Sequence, residues 1–324
     1  MFLSPTAGEP RTFILDSTSS SKSDDVKIIF TSDIHASHTH FFSLLRTAEK
    51  EQVGGMIIGG DIIPHYLPDA ARLGQLKSAM RYLEEDFIPA LVDYKKKTGV
   101  RIYLDLGNDD FVFCRKVLEP YDGELYHLIH YKKHRLTGDI DILGYMVVPP
   151  TPFRIKDWEK PDSIDNPYTE GNTIVSEGYV SAHGILEDKV LDLTSGDTIE
   201  KDLSRLSRLI DRPFIFVSHS PPYHTPLDII HNGLHVGSIS IRRFIETWSR
   251  KGLLIASFHG HIHESPSRSG SIGTRIGNAL CINPGQGEGI GSEFRYVVFD
   301  LSENRVSLLS KDESTMLSER HQGI

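Results

Sequence analysis

The chain has 324 residues, of which 39% are hydrophobic and 24% charged, and its formal net charge is −9. These values describe a globular chain with a large core, built as one α/β domain or as one domain with an elaborated insertion. The acidic balance argues against extended binding to nucleic acid, which needs Lys and Arg to neutralise phosphates; a small phosphorylated substrate stays open, because bound metal inverts the local field.

Cys114 and Cys281 are the only cysteines. Two are too few for a disulfide scaffold, and no CxxC pair offers zinc or redox chemistry. No basic head precedes an apolar stretch at the start of the chain, and no apolar run approaches a membrane span. The expectation is a soluble cytoplasmic protein.

Residues 1–25 read as a flexible arm, with the polar run STSSSKSDD at 17–25. Ordered structure is expected to start with VKIIFTSD (26–33), an apolar β-branched run that ends in polar residues. The same pattern recurs in VGGMIIGGD (53–61), VRIYLDLGNDD (100–110), PFIFVSHS (213–220) and LLIASFHGHIH (253–263). Continuous apolar runs of this kind suit strands buried on both faces. Between them, Leu73, Leu76, Met80, Leu83, Phe87 and Leu91 recur at three- and four-residue steps and predict an amphipathic helix over 69–96. Residues 197–210 and 238–251 are further helix candidates. Alternating strands and helices indicate a layered α/β fold with much parallel sheet. IDILGYMVV (140–148) and FRYVVFDLSENRVSLLS (294–310), with a hairpin turn at Glu303-Asn304, predict a second and more mixed sheet. Residues 149–196, rich in Pro, Asp and Asn, read as a long irregular insertion over or near a functional site. The main domain is thus expected over 26–310, followed by a polar tail at 311–324.

The chemistry lies where the apolar runs end. Asp33-x-His35, Asp61 after Gly59-Gly60, Asn108 after Gly107, His219, and His261-x-His263 all follow strand candidates. In open α/β sheets ligands bind at that edge, so segments distant in sequence can converge there. The donors are hard oxygen and imidazole without thiolate, which suits a catalytic site for divalent cations better than structural zinc. Asp61 has two carboxylate oxygens and can bridge two ions, the arrangement used for attack of an activated hydroxide on phosphorus. Two divalent metal ions are expected, manganese first, with iron, zinc or nickel as alternatives.

The ordered series DIH (33–35), GD (60–61), GN (107–108), SH (218–219) and GHIH (260–263) resembles the calcineurin-like metallophosphoesterase superfamily over roughly residues 27–310. The resemblance implies a four-layer α-β-β-α sandwich with two mixed β-sheets. It also implies a division of ligands: Asp33, His35, Asp61 and His263 for one metal, and Asp61, Asn108, His219 and His261 for the other. SHSPPYHTPLD (218–228), GLHVGSISIRRFIE (233–246), GHIHES (260–265) and INPGQ (282–286) are similar to a poorly characterised microbial branch with no definite substrate.

Two positions depart from the pattern. Many members carry a His after the Asn as proton donor, whereas this chain has Asp109 and then Asp110. GNDD is closer to the GNxD variant of small bacterial phosphodiesterases. A carboxyl acts as a general acid only if its pKa is raised, and a nearby dication lowers it. Asp109 and Asp110 are therefore expected to orient water or a ligand, and His224 is a candidate proton donor. Ala36 stands where Gly often follows the first His. His231, His235 and Arg242 are candidate substrate contacts, because Arg242 and Arg243 follow a Gly-Ser at a helix start suited to phosphate. His38, His40, His65, His127, His130, His134, His183 and His321 read as ordinary histidines, and His259 as a packing residue.

The function expected is hydrolysis of a small phosphodiester or phosphomonoester by metal-bound hydroxide, the diester slightly favoured. The rival reading is a protein-interaction scaffold on the same fold; it has to account for seven filled ligand positions. No membrane partner is expected, and a homo-oligomer is left open.

Overall fold

The computed structural model describes residues 12–13, 26–67, 72–171, 173–287, 292–302 and 305–308, with backbone alone for 12–13, 73, 302 and 305–308. The expected polar tail and the turn at Glu303-Asn304 lie outside these residues. So does the expected arm, apart from Thr12–Phe13, which pairs antiparallel with Arg305–Leu308 as a sheet edge.

Each apolar run forms a strand where the sequence places one. The first sheet has the order Thr12–Phe13, Arg305–Leu308, Val297–Ser302, Val26–Thr31, Gly55–Ile58, Arg101–Leu104, His127–Leu128. From Val26–Thr31 onward its pairs are parallel, while Val297–Ser302 joins antiparallel. The second sheet runs Gly273–Ile276, Ala279–Ile282, Leu254–Phe258, Phe214–Ser218, Ile140–Tyr145, Lys133–Thr137, with a parallel centre and antiparallel edges. Both sheets are mixed, as expected, but Val297–Ser302 and Arg305–Leu308, expected in the second sheet with 140–148, pair instead beside Val26–Thr31 in the first. They meet through Phe258, whose ring lies 5.1 Å from Phe30 and stacks 4.5 Å from Phe299 of the opposite sheet. All three are fully buried.

Helices form the outer layers. His38–Lys50 is not among the expected helices, although its signal is present: Ser37 caps it, and Phe41, Leu44, Leu45 and Ala48 make one buried face. The segment expected as one helix over 69–96 forms Arg72–Tyr82 and Ile88–Thr98, joined by a π-turn at Leu83–Phe87. In that turn the Ile88 N–H bonds the Leu83 carbonyl, five residues back. Pro89 accounts for the widening, since it has no N–H to offer and its ring would crowd the carbonyl four residues back, that of Glu85. Ile199–Leu206 and Ile239–Arg250 fall inside the other two expected spans.

The segment 149–196 is not wholly irregular. Glu177–Val180 and Glu187–Val190 pair as a small antiparallel sheet. Lys156 and Glu159 form a fully buried ion pair, and the Trp158 indole N–H donates to the Asp110 carbonyl at 3.0 Å. Asp157 accepts from Val112 N and Ser181 N at 3.0 and 2.9 Å. The insertion is thereby fastened to the GNDD loop.

Phe258→Ala should destabilise the fold by about 3–5 kcal/mol, because the cavity would open at the contact between the sheets. Equilibrium denaturation by urea measures this; a loss under about 1 kcal/mol would mean that the sheets are held together elsewhere.

Candidate metal centre

Because neighbouring strands run parallel, their C-terminal ends lie at one edge of each sheet, and the two edges face each other. Asp33 and His35 follow Val26–Thr31, Asp61 follows Gly55–Ile58 and Asn108 follows Arg101–Leu104. From the second sheet, His219 directly follows Phe214–Ser218, and His261 and His263 follow Leu254–Phe258. The loops are turned sharply: Asp33, His35, Asp61 and His261 have φ of 60°, 47°, 52° and 68°. Such left-handed backbone is unfavourable for a non-glycine residue and persists only where the surroundings impose it. Here Asp33 N bonds Gly60 O at 3.0 Å and His35 N bonds Asp61 O at 2.9 Å. Ala36 has φ of 52°, which explains why Gly suits that position.

The donor atoms converge. His263 Nε2 lies 3.3 Å from Asp33 Oδ1 and 3.3 Å from His35 Nε2, which is itself 3.7 Å from Asp61 Oδ2. Asp33, His35, Asp61 and His263 form one group able to hold a cation. On the other side of Asp61, His219 Nε2 lies 3.2 Å from Asp61 Oδ2 and 3.0 Å from Asn108 Oδ1. His219 Nδ1 is 2.8 Å from the Gly59 carbonyl, which can only accept, so this nitrogen carries the proton and donates it. Nε2 therefore faces two oxygens and needs a proton or a cation between them. The His261 ring lies 5.4 Å from that of His219, and its backbone N–H donates to Asp33 Oδ1 at 2.9 Å.

The residues fit divalent cations on three observations. Asp33 Oδ2 is buried without a hydrogen-bond partner, which native proteins rarely leave unexplained. The cradle around the donors admits no extra atom: a Cβ at Gly107 would sit 2.3 Å from Asp61 Oδ1, and one at Gly260 would sit 2.6 Å from Asp33 Oδ2. The donor set is oxygen and imidazole, suited to manganese, iron or zinc.

Electrostatics agree. Burial would raise the Asp33 carboxyl, but His263 and His219 hold it down at about 2. Burial would discharge His219, but the Asp61 carboxylate raises it to about 9. Burial keeps His35 and His261 neutral, at about 3 each, ready to donate lone pairs.

A cavity of about 680 Å³ opens over these residues. Asp33, His35, Asp61, Asn108, His261 and His263 line it, with Asp109, His65, Phe153 and Glu264 around them. His65, expected to be ordinary, stacks on His35 at 3.5 Å, and its Nδ1 lies 2.6 Å from Asp109 Oδ2. His35, His65 and Asp109 form a second donor group. A signal was available, since His65 lies four residues beyond Asp61 in the same loop. His40, also expected to be ordinary, is buried at the cavity wall.

Several expected roles are corrected. Asp110 is fully buried and accepts from Ile62 N, Ile63 N and Gly107 N at 2.8–3.0 Å, so it clamps two ligand loops and does not face the cavity. His224, His231 and His235 do not line the cavity. His235 Nδ1 is 2.7 Å from the buried Asp228 carboxylate, His224 stacks on His235 at 4.7 Å, and His231 faces Glu264. Arg242 is engaged by the Tyr223 and His224 carbonyls and by Glu246, each at 2.9 Å. The helix start at Ile239 is already occupied by a carboxylate: Asp162 Oδ2 accepts from Ile239 N and Ser240 N at 2.8 and 3.1 Å. His259 is fully buried and bonded to serines, as expected of a packing residue.

The family model for calcineurin-like phosphoesterases matches residues 26–265. The chain belongs to that family. A curated relative, the uncharacterised protein MJ1162 of Methanocaldococcus jannaschii, is 39% identical over 94 residues, 28% of this chain and 37% of the relative. The match thus spans little more than a third of that protein. One solved structure superposes with a TM-score of 0.54 at 14% identity, covering 90% of this chain and all of the other, a likeness of fold alone. TT1561 of Thermus thermophilus gives a TM-score of 0.49 at 16% identity, covering 88% of this chain and 98% of the other. A dimetal phosphatase from Danio rerio gives 0.46 at 10%, covering 87% and 96%. In this phosphoesterase fold the donor loops stand at the shared edge of the two sheets, with the cavity above them. Among the described residues no helix is long and apolar enough to cross a membrane.

If His219 Nε2 takes a divalent cation, the proton that the Asp61 carboxylate favours there would have to leave. Affinity for a divalent cation should then rise as pH increases toward about 9, where His219 loses that proton, and level off above it. Calorimetry in buffers of different ionisation enthalpy should show proton release on binding at pH 7; no release would mean that this nitrogen is not a ligand.

Proposed function

We propose that this protein is a dinuclear metal-dependent phosphodiesterase acting on a small substrate. The observation that carries the reading is the convergence of Asp33, His35, Asp61 and His263 in one donor group at the cavity, with His219 Nε2 and Asn108 Oδ1 next to Asp61. Asp33, His35, Asp61 and His263 would hold one cation. Asp61, Asn108, His219 and His261 would hold the other, with manganese the first candidate for both. Bound cations there supply the Lewis-acid charge that activates water and offsets charge on the phosphoryl oxygens. A scaffold would have no use for a complete donor set in a buried, strained cradle.

The remaining steps fall to the chain itself. His65 is about half-exposed at the cavity, and its Nδ1 is held by Asp109, which leaves the other ring nitrogen to hand a proton to the leaving group. Burial alone would lower the His65 pKa, but the hydrogen bond from His65 to Asp109 raises it above the usual value. Asp109 is then a positioning residue, and the histidine that this sequence lacks after Asn108 comes from the neighbouring loop.

Charge supports a diester over a monoester. Asp33, Asp61, Asp109 and Glu264 line the cavity, and no Lys or Arg does so among the described residues. Two dications would only about balance these carboxylates, so a singly charged diester is better accommodated than a doubly charged monoester.

Metal analysis should find about two manganese ions per chain, and bis(4-nitrophenyl) phosphate should be hydrolysed with a higher kcat/KM than 4-nitrophenyl phosphate. Absence of both metal and turnover would overturn the reading, and full activity in Asp61→Asn would remove Asp61 from its bridging place. His65→Ala should slow diesters with alkoxide leaving groups by about 100-fold or more and 4-nitrophenyl esters far less. Equal losses on both would exclude proton donation by His65.

A further inference from the structure

We propose that Phe153 selects the substrate by stacking on a flat aromatic substituent, a nucleobase or an aryl group, carried by the phosphodiester. The proposal rests on the phosphodiesterase reading and gives the insertion 149–196 a role in it. Phe153 is 50% exposed and lines the cavity, with its ring 6.5 Å from that of His261 and nearly perpendicular to it. The other large apolar residue among those lining the cavity, Ile34, is 1% exposed. Among the described residues, Phe153 therefore supplies the apolar surface open to a ligand in a cavity otherwise lined by ionisable, hydroxyl, amide and glycine residues.

The turn that carries Phe153 is firmly built. Its N–H donates to Thr151 Oγ1 at 3.0 Å, and Thr151 N donates to Glu159 Oε2 at 3.1 Å. Lys156 Nζ donates to both Glu159 oxygens at 2.9 Å and to the Thr151 carbonyl at 3.2 Å. Lys156 and Glu159 are both fully buried as a pair, and breaking such a pair is strongly destabilising, so the turn has little freedom to change shape. Trp158 and Asp157 fix the same segment to the loop that carries Asn108. A half-exposed aromatic ring on a backbone held relative to the donor loops is a preorganised stacking platform. The cavity, at about 680 Å³, has room for such a group beside the phosphate.

The test uses three diesters with one leaving group: the methyl, phenyl and thymidine-5′ esters of 4-nitrophenyl phosphate. In each, water adds to phosphorus, the P–O bond to 4-nitrophenolate breaks, and a phosphomonoester remains. The wild-type protein loaded with manganese should show KM values for the phenyl and thymidine esters about tenfold below that of the methyl ester. In Phe153→Ala this ratio should collapse toward one, and Phe153→Trp should restore it. Binding of thymidine 5′-monophosphate, followed by calorimetry without turnover, should weaken by a similar factor in Phe153→Ala at unchanged metal content. A preference for thymidine over phenyl identifies a nucleobase, and the reverse identifies a simple aryl group. Wild-type turnover of all three esters with equal KM would overturn the role of Phe153 alone, as would an unchanged ratio in Phe153→Ala. Neither turnover nor metal uptake by the wild type would bring down the phosphodiesterase reading, and this inference with it.

Discussion

The hydrogen bond from His219 Nδ1–H to the Gly59 carbonyl is the contact on which the rest of the site depends. It crosses from the second sheet to the first and settles the tautomer of the ring. With Nδ1 committed, Nε2 is the nitrogen turned to the space shared with Asp61 Oδ2 and Asn108 Oδ1, where it carries a proton or meets a cation. One backbone carbonyl thus orients the His219 ring, joins two sheets and leaves Nε2 facing two oxygens that favour positive charge between them. A partner of this kind is what orients a metal-ligating histidine generally. The approach is close enough that a Cβ at Gly60 would lie 2.7 Å from Nδ1, which accounts for glycine there.

The surrounding loops hold conformations that cost free energy. Left-handed backbone at Asp33, His35, Ala36, Asp61 and His261 is worth on the order of 1 kcal/mol each against folding. The strain is offset by hydrogen bonds that cross between loops. The buried Asp110 carboxylate gathers Gly107 with Ile62 and Ile63, and Asp33 Oδ1 accepts from His261 N. Interactions that look structural therefore hold donor atoms within reach of one another. The fold is least relaxed where the chemistry is placed, and the sheets behind it, sealed by Phe30, Phe258 and Phe299, are well packed.

The insertion extends the same logic beyond the metal cradle. Its anchors are polar and buried: the Lys156–Glu159 pair, Asp157 on Val112 and Ser181, and Asp162 on the start of the helix Ile239–Arg250. The pair braces the Pro- and Asp-rich segment internally through Thr151, while Asp157 and Asp162 draw parts of it onto Val112 and the helix start at Ile239. Asp162 also explains why that helix start is closed to phosphate: its N–H groups already have a carboxylate.

Much of this was legible in the residues. Apolar runs ending in Asp, Asn or His located the strands and, at their ends, Asp33, His35, Asp61 and His263, which the fold gathers into one donor group, because a strand's chemistry is local and its hydrophobic pattern is continuous. The sequence could also exclude the usual histidine after Asn108. What it could not decide were contacts between segments far apart in the chain. His65 reads as an ordinary histidine until its loop is folded beside Asp109, and His224, His231, His235 and Arg242 read as substrate contacts until Asp228, Glu264, Glu246 and two backbone carbonyls are seen to engage them. Phe153 acquires a role only when a buried ion pair sets its turn over His261. Residue type and spacing determine which atoms are able to bind or react; which of them share a cavity depends on long-range packing, and only the tertiary structure decided that.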